Sequence, residues 1–390
     1  MKTVAVIFGG RSTEHDVSIV TAIASIIKPL ELSKEYKVEP VYISRSGAWY
    51  WDQKLKDITL FTSGAIDDFI SHAHPVSVQL DGGMTLVKSS GIAGRKQLKS
   101  IDVVFPAMHG TYGEDGALMG LLEMAGVPYV GCGVAASAIA MDKVLAKQIA
   151  VANSIPTPKF LAFTKAELER SSARILKEIA TTLQFPLFVK PAHLGSSIGI
   201  SRVTTETELR NALEVAAHYD NSVVVEEAVQ NLIEVTLPIM GLSDDPKPAL
   251  LEQPLTRPED FFDFETKYMQ GGKKGSGKKS GPKGAQGYSQ IPADLQKDIY
   301  AKAEATGLAV YKALGCSGIA RVDMLIDSKS SEVYFNEVNP LPGGLYAHNW
   351  KAAGISSIEL VRKLVTLAED RFRQEQQLTT SFSTNYLKQF

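Results

Sequence analysis

The N-terminal third of the chain alternates short β-rich runs with helical ones, and that alternation leaves few folds open. "TVAVIF" (3–8) stops at Gly9-Gly10, and "VSIVTAIASII" (17–27) follows with helical spacing. "KVEPVYIS" (37–44) and "IDVVFPAMHG" (101–110) read as further buried strands, and "ALMGLLEMAG" (117–126) as a helix stopped by glycine. Strand alternating with helix predicts a parallel sheet covered on both faces. A dinucleotide-binding Rossmann domain fails on its own fingerprint, because "GGRSTE" is not G-x-G-x-x-G opening directly into a helix.

A second unit begins near Ser137. Its expected helices are "DKVLAKQIAVAN", "ELERSSARILKEIATTL" and "TETELRNALEVAAHY"; "PLFVKP" and "SVVVEEAV" are strands, with a glycine turn at "HLGSSIGI". Further strands ("IEVTLPIMG", "GIARVDMLID", "EVYFNEVN") and the helix "LQKDIYAKAEATGLAVYKALG" carry the pattern to about 370. From Lys273 to Gly284 the chain holds five lysines, four glycines, two serines and a proline. No helix or strand can bury a face with that composition, so a solvated loop is expected. The tail from about 373 is Gln/Ser/Thr-rich and is expected to dock only lightly.

A chain of 390 residues, 44% apolar and 22% charged, has room for two or three ordinary globular cores. A net charge of −2 argues against a global nucleic-acid or membrane footprint. Cys132 and Cys316 are too few and too separated for a disulfide framework or a zinc site, which suits a reducing compartment. The apolar run at the N-terminus is too short for a signal peptide, and no run reaches the ~18 apolar residues of a membrane span. A cytoplasmic address is expected.

Asp323, Glu337 and Asn339 form the strongest chemical constellation. Residues two apart on a strand share a face, so Glu337 and Asn339 can address one point, with Asp323 arriving from a neighbouring strand. Two carboxylates and an amide oxygen suit Mg²⁺ that also holds phosphate oxygens. Arg321 shares the face of Asp323. The plain alternative is a solvated strand face with a casual salt bridge. "VKPAHLGSSIGI" supplies a phosphate side: Lys190 ends a strand, and a turn containing Ser196 and Ser197 offers N–H groups and hydroxyls to oxyanions. Most such turns merely connect strands. Lys143 and Lys267 are further cations. "VVVEEAV" (223–229) reads as an edge strand whose backbone could bond a base, with Glu226 accepting from an exocyclic amine; an ordinary hinge strand is the alternative. Glu14 stands just past the first strand, at the edge where open α/β sheets bind ligands, and could hold an ammonium group or simply face a helix dipole.

"GGRSTEHDVS", "HGTYGEDGALMGLLE", "YVGCGVAASAIAMDK", "VKPAHLGSSIGI", "FDFETKY" and "ARVDMLID…YFNEVNPLPG" occur in order between about residues 3 and 345. Together they resemble the D-alanine–D-alanine ligase family of the ATP-grasp superfamily. The resemblance implies an α/β protein of ATP-grasp fold: a Rossmann-like parallel-sheet domain (1–135), then two α+β subdomains (136–222 and 223–375) holding ATP between them, and a tail (376–390). It implies a lid loop at about 260–290. In that family ATP phosphorylates the carboxylate of one D-alanine, and the amine of a second attacks the acyl phosphate. By resemblance, Glu14 would hold the first substrate's ammonium, linked through Ser196 to Tyr268. Lys143, Lys190, Lys267 and Ser197 would hold the phosphates, and Glu226, Glu227 and Val229 the base. Asp323, Glu337 and Asn339 would bind two Mg²⁺, with Mn²⁺ an alternative. Arg321 and the N–H of Gly343 would face the tetrahedral intermediate. The implied partners are ATP, D-alanine and a second copy of the chain in a homodimer, with neither nucleic acid nor membrane.

Three departures from the family pattern stand out. An insertion before "IEVTLPIMG" makes Glu234 the candidate for the ribose. "GGLYAHNWKAAG" puts His348 and Asn349 where a serine commonly binds the acceptor's carboxylate. The basic loop is lengthened. The alternatives are a ligase with another acceptor, such as D-serine or D-lactate, and a nucleotide-binding regulator without catalysis.

Overall fold

The computed structural model describes residues 1–90, 95–195, 197–254, 289–379, 384 and 386–390, and of 89, 90 and 95–97 the backbone alone. Ser196, Lys267, Tyr268, the lysine run 273–284 and most of the expected lid therefore lie outside the described residues.

The first sheet has the order Trp49–Trp51, Tyr36–Ile43, Lys2–Gly9, Val103–Pro106. The last three run parallel, and Trp49–Trp51 is an antiparallel edge. Alternate residues of Lys2–Gly9 go to opposite cores. Val4, Val6 and Phe8 pack with Ile19, Ile26 and Leu364, whereas Ala5 and Ile7 pack with Leu118 and Leu122. Both faces are covered, which is why these strands read as unbroken apolar runs. One cover is contributed by the last long helix, Ser357–Gln376, so the N-terminal core closes only with the C-terminal end of the chain.

The expected helix at 17–27 has three geometries. His15–Val20 is α-helical, Thr21–Ile27 is π-helical and Lys28–Ser33 is α-helical again. A three-stranded antiparallel sheet, Ser77–Leu80, Met84–Ser90 and Arg95–Ile101, was not foreseen from the sequence.

The middle sheet has the order Ser201–Val203, Leu187–Pro191, Ser222–Glu227, Phe160–Thr164, antiparallel throughout. Helices Lys165–Thr182 and Glu206–Tyr219 back it; the first is opened by a reciprocal cap between Thr164 and Glu167. The expected edge strand is a correction: Ser222–Glu227 is interior, paired on both sides through Glu226. The third sheet has the order Lys247–Pro248, Leu232–Gly241, Gly318–Asp327, Glu332–Asn339. Its core takes helix Lys297–Ala313 and also Val134–Met141 and Lys143–Ala152. Cys132 and Cys316 meet in that core as buried free thiols. No helix among the described residues is long and apolar enough to cross a membrane. The tail ends in an exposed turn, Tyr386–Gln389.

Candidate active site

The third sheet presents one face to a cleft. Along Gly318–Asp327 the apolar Val322, Met324 and Ile326 are buried, and Arg321 and Asp323 alternate to the other side. The neighbouring strand carries one extra residue. Asp323 stands opposite Glu337 but Met324 opposite Phe335, which makes Asn336 the inserted residue of a β-bulge. Plain alternation from Phe335 would have turned Glu337 into the core. The bulge instead buries Phe335 and Val338 and leaves Asn336, Glu337 and Asn339 on the open side.

Asp323 is held from several directions. Arg321 donates to it twice, Nε to Oδ1 at 2.8 Å and Nη2 to Oδ2 at 2.5 Å. The Thr236 hydroxyl donates to Oδ1, and Asn339 Nδ2 donates to Oδ2 at 3.3 Å. Asn339 thus keeps its amide oxygen for a ligand. Two carboxylates and one amide oxygen on adjacent strands fit Mg²⁺, which takes few protein ligands and completes its shell with water and phosphate. Glu234 precedes Thr236 by two positions on Leu232–Gly241 and so shares its face.

The opposite wall comes from the middle sheet and from helix Lys143–Ala152. Asp142 caps that helix, accepting from Val144 N at 2.8 Å and Leu145 N at 3.0 Å. One turn separates Lys143 from Lys147. Lys143 Nζ donates to Leu194 O at 2.7 Å and lies 3.7 Å from Glu337 Oε2. Lys190 Nζ is salt-bridged to Glu226 Oε1 and donates to Asn336 Oδ1 at 3.3 Å. Lys147 Nζ lies 2.8 Å from Glu226 Oε2 and donates to Thr157 Oγ1 at 3.1 Å. The Lys147–Glu226 contact is chiefly ionic, since Oε2 lacks a well-directed hydrogen bond. Burial pushes the Glu226 carboxyl up, but the two ammonium groups outweigh it and bring its pKa to about 2.

Both Glu226 oxygens thus lie against lysine ammonium groups. Glu227 turns away and accepts from Gln184 N at 2.9 Å, while Val229 lies just beyond the strand end, partly buried. Lys147, Thr236 and Asn336 were missed from the sequence. Only Lys147 left a signal there, its spacing of four from Lys143.

The glycine turn closes the side of the cleft. Ser197 and Gly199 have φ of +59° and +72°, and a Cβ on Gly199 would lie 2.8 Å from Pro191 Cγ. His193 pins the turn, its Nδ1 2.9 Å from Asp220 Oδ1 and its Nε2 3.3 Å from Asp142 Oδ2. Glu14 reaches the turn from the first domain: a Cβ on Gly195 would lie 3.4 Å from Glu14 Oε1, and one on Gly110 3.0 Å from Oε2.

At the far end, Gly344, Leu345 and Tyr346 have φ of +60°, +55° and +50°. Left-handed geometry at two non-glycine residues costs roughly 1–2 kcal/mol each, and it is held here by the fold. Leu345 is buried, the Tyr346 ring centroid lies 5.1 Å from Arg321 Cζ, and Gly344 N donates to Thr21 Oγ1 at 3.0 Å. His109 Nε2 meets the same hydroxyl at 3.0 Å, so the π-helical turn joins the two domains. Gly343 has room beside it, the nearest atom to an added Cβ being Val17 Cγ1 at 4.0 Å. Asn349 is fully buried: it accepts from Leu250 N at 3.1 Å and donates to Leu250 O at 2.9 Å. It also donates to Glu252 Oε2 at 3.1 Å, where His348 Nε2 lies at 2.9 Å. Burial pushes the Glu252 carboxyl up, but these hydrogen bonds prevail and hold it below its ordinary range.

Comparison with known proteins identifies the family. The family model "D-ala D-ala ligase N-terminus" matches residues 3–132, and "D-ala D-ala ligase C-terminus" matches 149–366. A D-alanine–D-alanine ligase of Chlorobium phaeovibrioides is 37% identical over 94% of this chain and 96% of its own. One of Bacillus pumilus is 34% identical over 97% and 99%. Among solved structures, the D-alanine-D-alanine ligase from Coxiella burnetii superposes with a TM-score of 0.77 at 28% identity, covering 96% of each chain. The VanG D-Ala:D-Ser ligase from Enterococcus faecalis gives 0.74 at 32% identity, over 94% of this chain and 99% of its own.

Proposed function

This chain belongs to the D-alanine–D-alanine ligase family, and from that premise we propose that it joins two D-alanines at the expense of ATP, releasing ADP and phosphate, to supply peptidoglycan precursors. The observation that carries the reading is the meeting of two walls. Lys143 and Lys190 reach across to Glu337 and Asn336, while Arg321 and Asp323 stand alongside. Such a cleft brings cations and hard oxygen ligands to one place, which is what transfer of a phosphoryl group to a carboxylate requires.

In the proposed reaction the first D-alanine carboxylate attacks the γ-phosphorus, and the bond from phosphorus to the bridging oxygen breaks to release ADP. The amine of the second D-alanine then attacks the acyl carbon, loses a proton, and expels phosphate with the electrons of the C–O bond. Glu14 holds the first ammonium beside the glycine turn; Lys143, Lys190 and Ser197 hold phosphate oxygens. Arg321 and the Gly343 N–H face the oxyanion of the tetrahedral intermediate. Asp323, Glu337 and Asn339 are the proposed Mg²⁺ ligands, and the metal would neutralise phosphate charge there. Glu234 is proposed at the ribose, and the chain beyond Glu227, including Val229, at the base. A homodimeric, cytoplasmic enzyme with units at 1–135, 136–222 and 223–375 completes the proposal.

His348 supports a second reading for the acceptor alone. It stands where a serine is common in the family, and a D-serine acceptor occurs in the Enterococcus relative's printed name. Phosphate release measured against a panel of D- and L-amino acids and hydroxy acids tests both readings. Release that requires D-alanine and yields the dipeptide is expected. A rate indifferent to any amino acid would leave only nucleotide binding, and a clear preference for D-serine beside D-alanine would move the acceptor.

A further inference from the structure

Lys147 has no part in the reading above, yet its side chain is wholly shut from solvent. An ammonium in that position is costly to desolvate, and an apolar residue of similar volume would serve packing as well or better. What the ammonium touches is Glu226, 2.8 Å away, whose other oxygen holds Lys190. The three groups form a line from core to cleft, and only Lys190, with 10% of its side chain exposed, reaches the open end. Without Lys147, Lys190 and Glu226 would be a neutral pair, and an anion in the cleft would meet little more than a dipole. With Lys147 behind, the line carries one net positive charge.

We infer that Lys147 is a positioning residue for the nucleotide: it neutralises Glu226 from behind and leaves Lys190 with an uncompensated charge at the cleft. The inference rests on the reading that Lys190 meets the nucleotide. It assigns Glu226 a task as well, since that carboxylate fixes the Lys190 ammonium where Asn336 also receives it. Thr157 supplies Lys147 with a further acceptor at 3.1 Å, and the Phe160 ring centroid lies 5.9 Å from its Nζ.

The test is calorimetric binding of an ATP analogue with a non-hydrolysable γ-phosphate to the full chain, with Mg²⁺ and without amino acid. Lys190→Met should bind at least about tenfold more weakly, and Lys147→Met should show a loss of the same order. Adding Glu226→Gln to Lys147→Met restores a single net charge, and should recover most of the affinity. The second substitution would also relieve a purely structural role, by removing the buried carboxylate that Lys147 compensates, so urea stability is measured beside affinity. Weakened binding by a Lys147→Met variant of near-parental stability marks the positioning role, and a binding loss that only follows lost stability overturns it. In turnover, Lys147→Met should raise the KM for ATP far more than it lowers kcat. Should that variant fail to fold, Lys147→Gln takes its place, keeping a hydrogen-bond donor without the charge. Parental affinity in the charge-removed variant, or a double variant that binds no better than the single one, overturns the role of Lys147 while a weakened Lys190→Met leaves the site intact. Parental affinity in Lys190→Met overturns the reading of the site and this inference with it.

Discussion

The two antiparallel sheets that wall the cleft hold their charges in opposite ways. On the middle sheet and its neighbouring helix, Lys147, Glu226 and Lys190 are 0%, 1% and 10% exposed, and each is already in contact with an opposite charge. On the third sheet, Arg321, Asp323 and Glu337 are 20%, 19% and 35% exposed. The first wall is paired without ligand, and its geometry is fixed by a carboxylate, Glu226, that cannot be removed without orphaning a buried ammonium. The second keeps carboxylates within reach of water and therefore of a metal ion and phosphate. Charge that must be permanent is buried and paired; charge that must be exchanged stays nearer the surface.

Exchanging one carboxylate for an amide on each wall should separate the two behaviours. Glu337→Gln preserves volume but removes a proposed metal ligand, and turnover should fall by about a thousandfold or more, with nucleotide binding weakened less. Its stability to urea should change by no more than about 1 kcal/mol, because the group is partly exposed. Near-parental turnover in this variant would remove Glu337 from the metal set.

The complementary change is Glu226→Gln, and here the fold should suffer most. Lys147 would keep only a weak partner for a buried ammonium, a situation that costs about 3–5 kcal/mol. Urea denaturation measures it directly. If Glu226→Gln and Glu337→Gln destabilise equally, the contrast between the walls is false.

Much of the third sheet could be read from the sequence, because its face obeys period two: Arg321 and Asp323 alternate with Val322 and Met324 as any half-buried strand would. The strand beside it could not be read so simply. Glu337 and Asn339 were correctly put on one face, but which face depends on a single inserted residue at Asn336, and a bulge leaves no mark in local composition. The interior position of Ser222–Glu227 was hidden for a similar reason: strand order is set by pairing partners distant in sequence, Phe160–Thr164 and Leu187–Pro191. Lys147 shows a third limit. A lysine on an amphipathic helix reads as solvated, and only the tertiary approach of Glu226 makes burial tolerable. The meeting of Cys132 and Cys316 in one core was equally out of reach of local pattern.

Acid should expose the buried wall. The Glu226 carboxyl is pushed up by burial and pulled down further by Lys147 and Lys190, to a pKa of about 2 from an ordinary 4.5. A depressed carboxyl pKa stabilises the fold fully above the unfolded value, and that contribution is lost as the pH falls from about 4.5 towards 2. The parent should therefore lose stability steeply across that window, and the Lys147→Met/Glu226→Gln variant less steeply. Equal slopes would mean that other carboxylates govern acid unfolding.

The smallest effect lies at the rim of the same wall and has the opposite sign. His193 ties the glycine turn to Asp220 and Asp142, and the hydrogen bond it donates to Asp220 raises its pKa above 6.5 against the opposing effect of burial. A raised histidine pKa contributes stability that is fully present below the unfolded value of 6.5 and disappears as the pH climbs through the folded one. Nearly half of the His193 side chain is exposed, so solvent screens the pairs and the change should stay below about 1 kcal/mol. Local readout is more telling than global unfolding. Hydrogen exchange at His193 N, which donates to Asp220 Oδ2 at 2.7 Å, should quicken between neutral and mildly alkaline pH beyond its intrinsic base catalysis. In His193→Gln that extra step should vanish, since an amide does not titrate. If the step persists there, the turn is loosened by some other group, and the rim of the rigid wall is not held by this histidine.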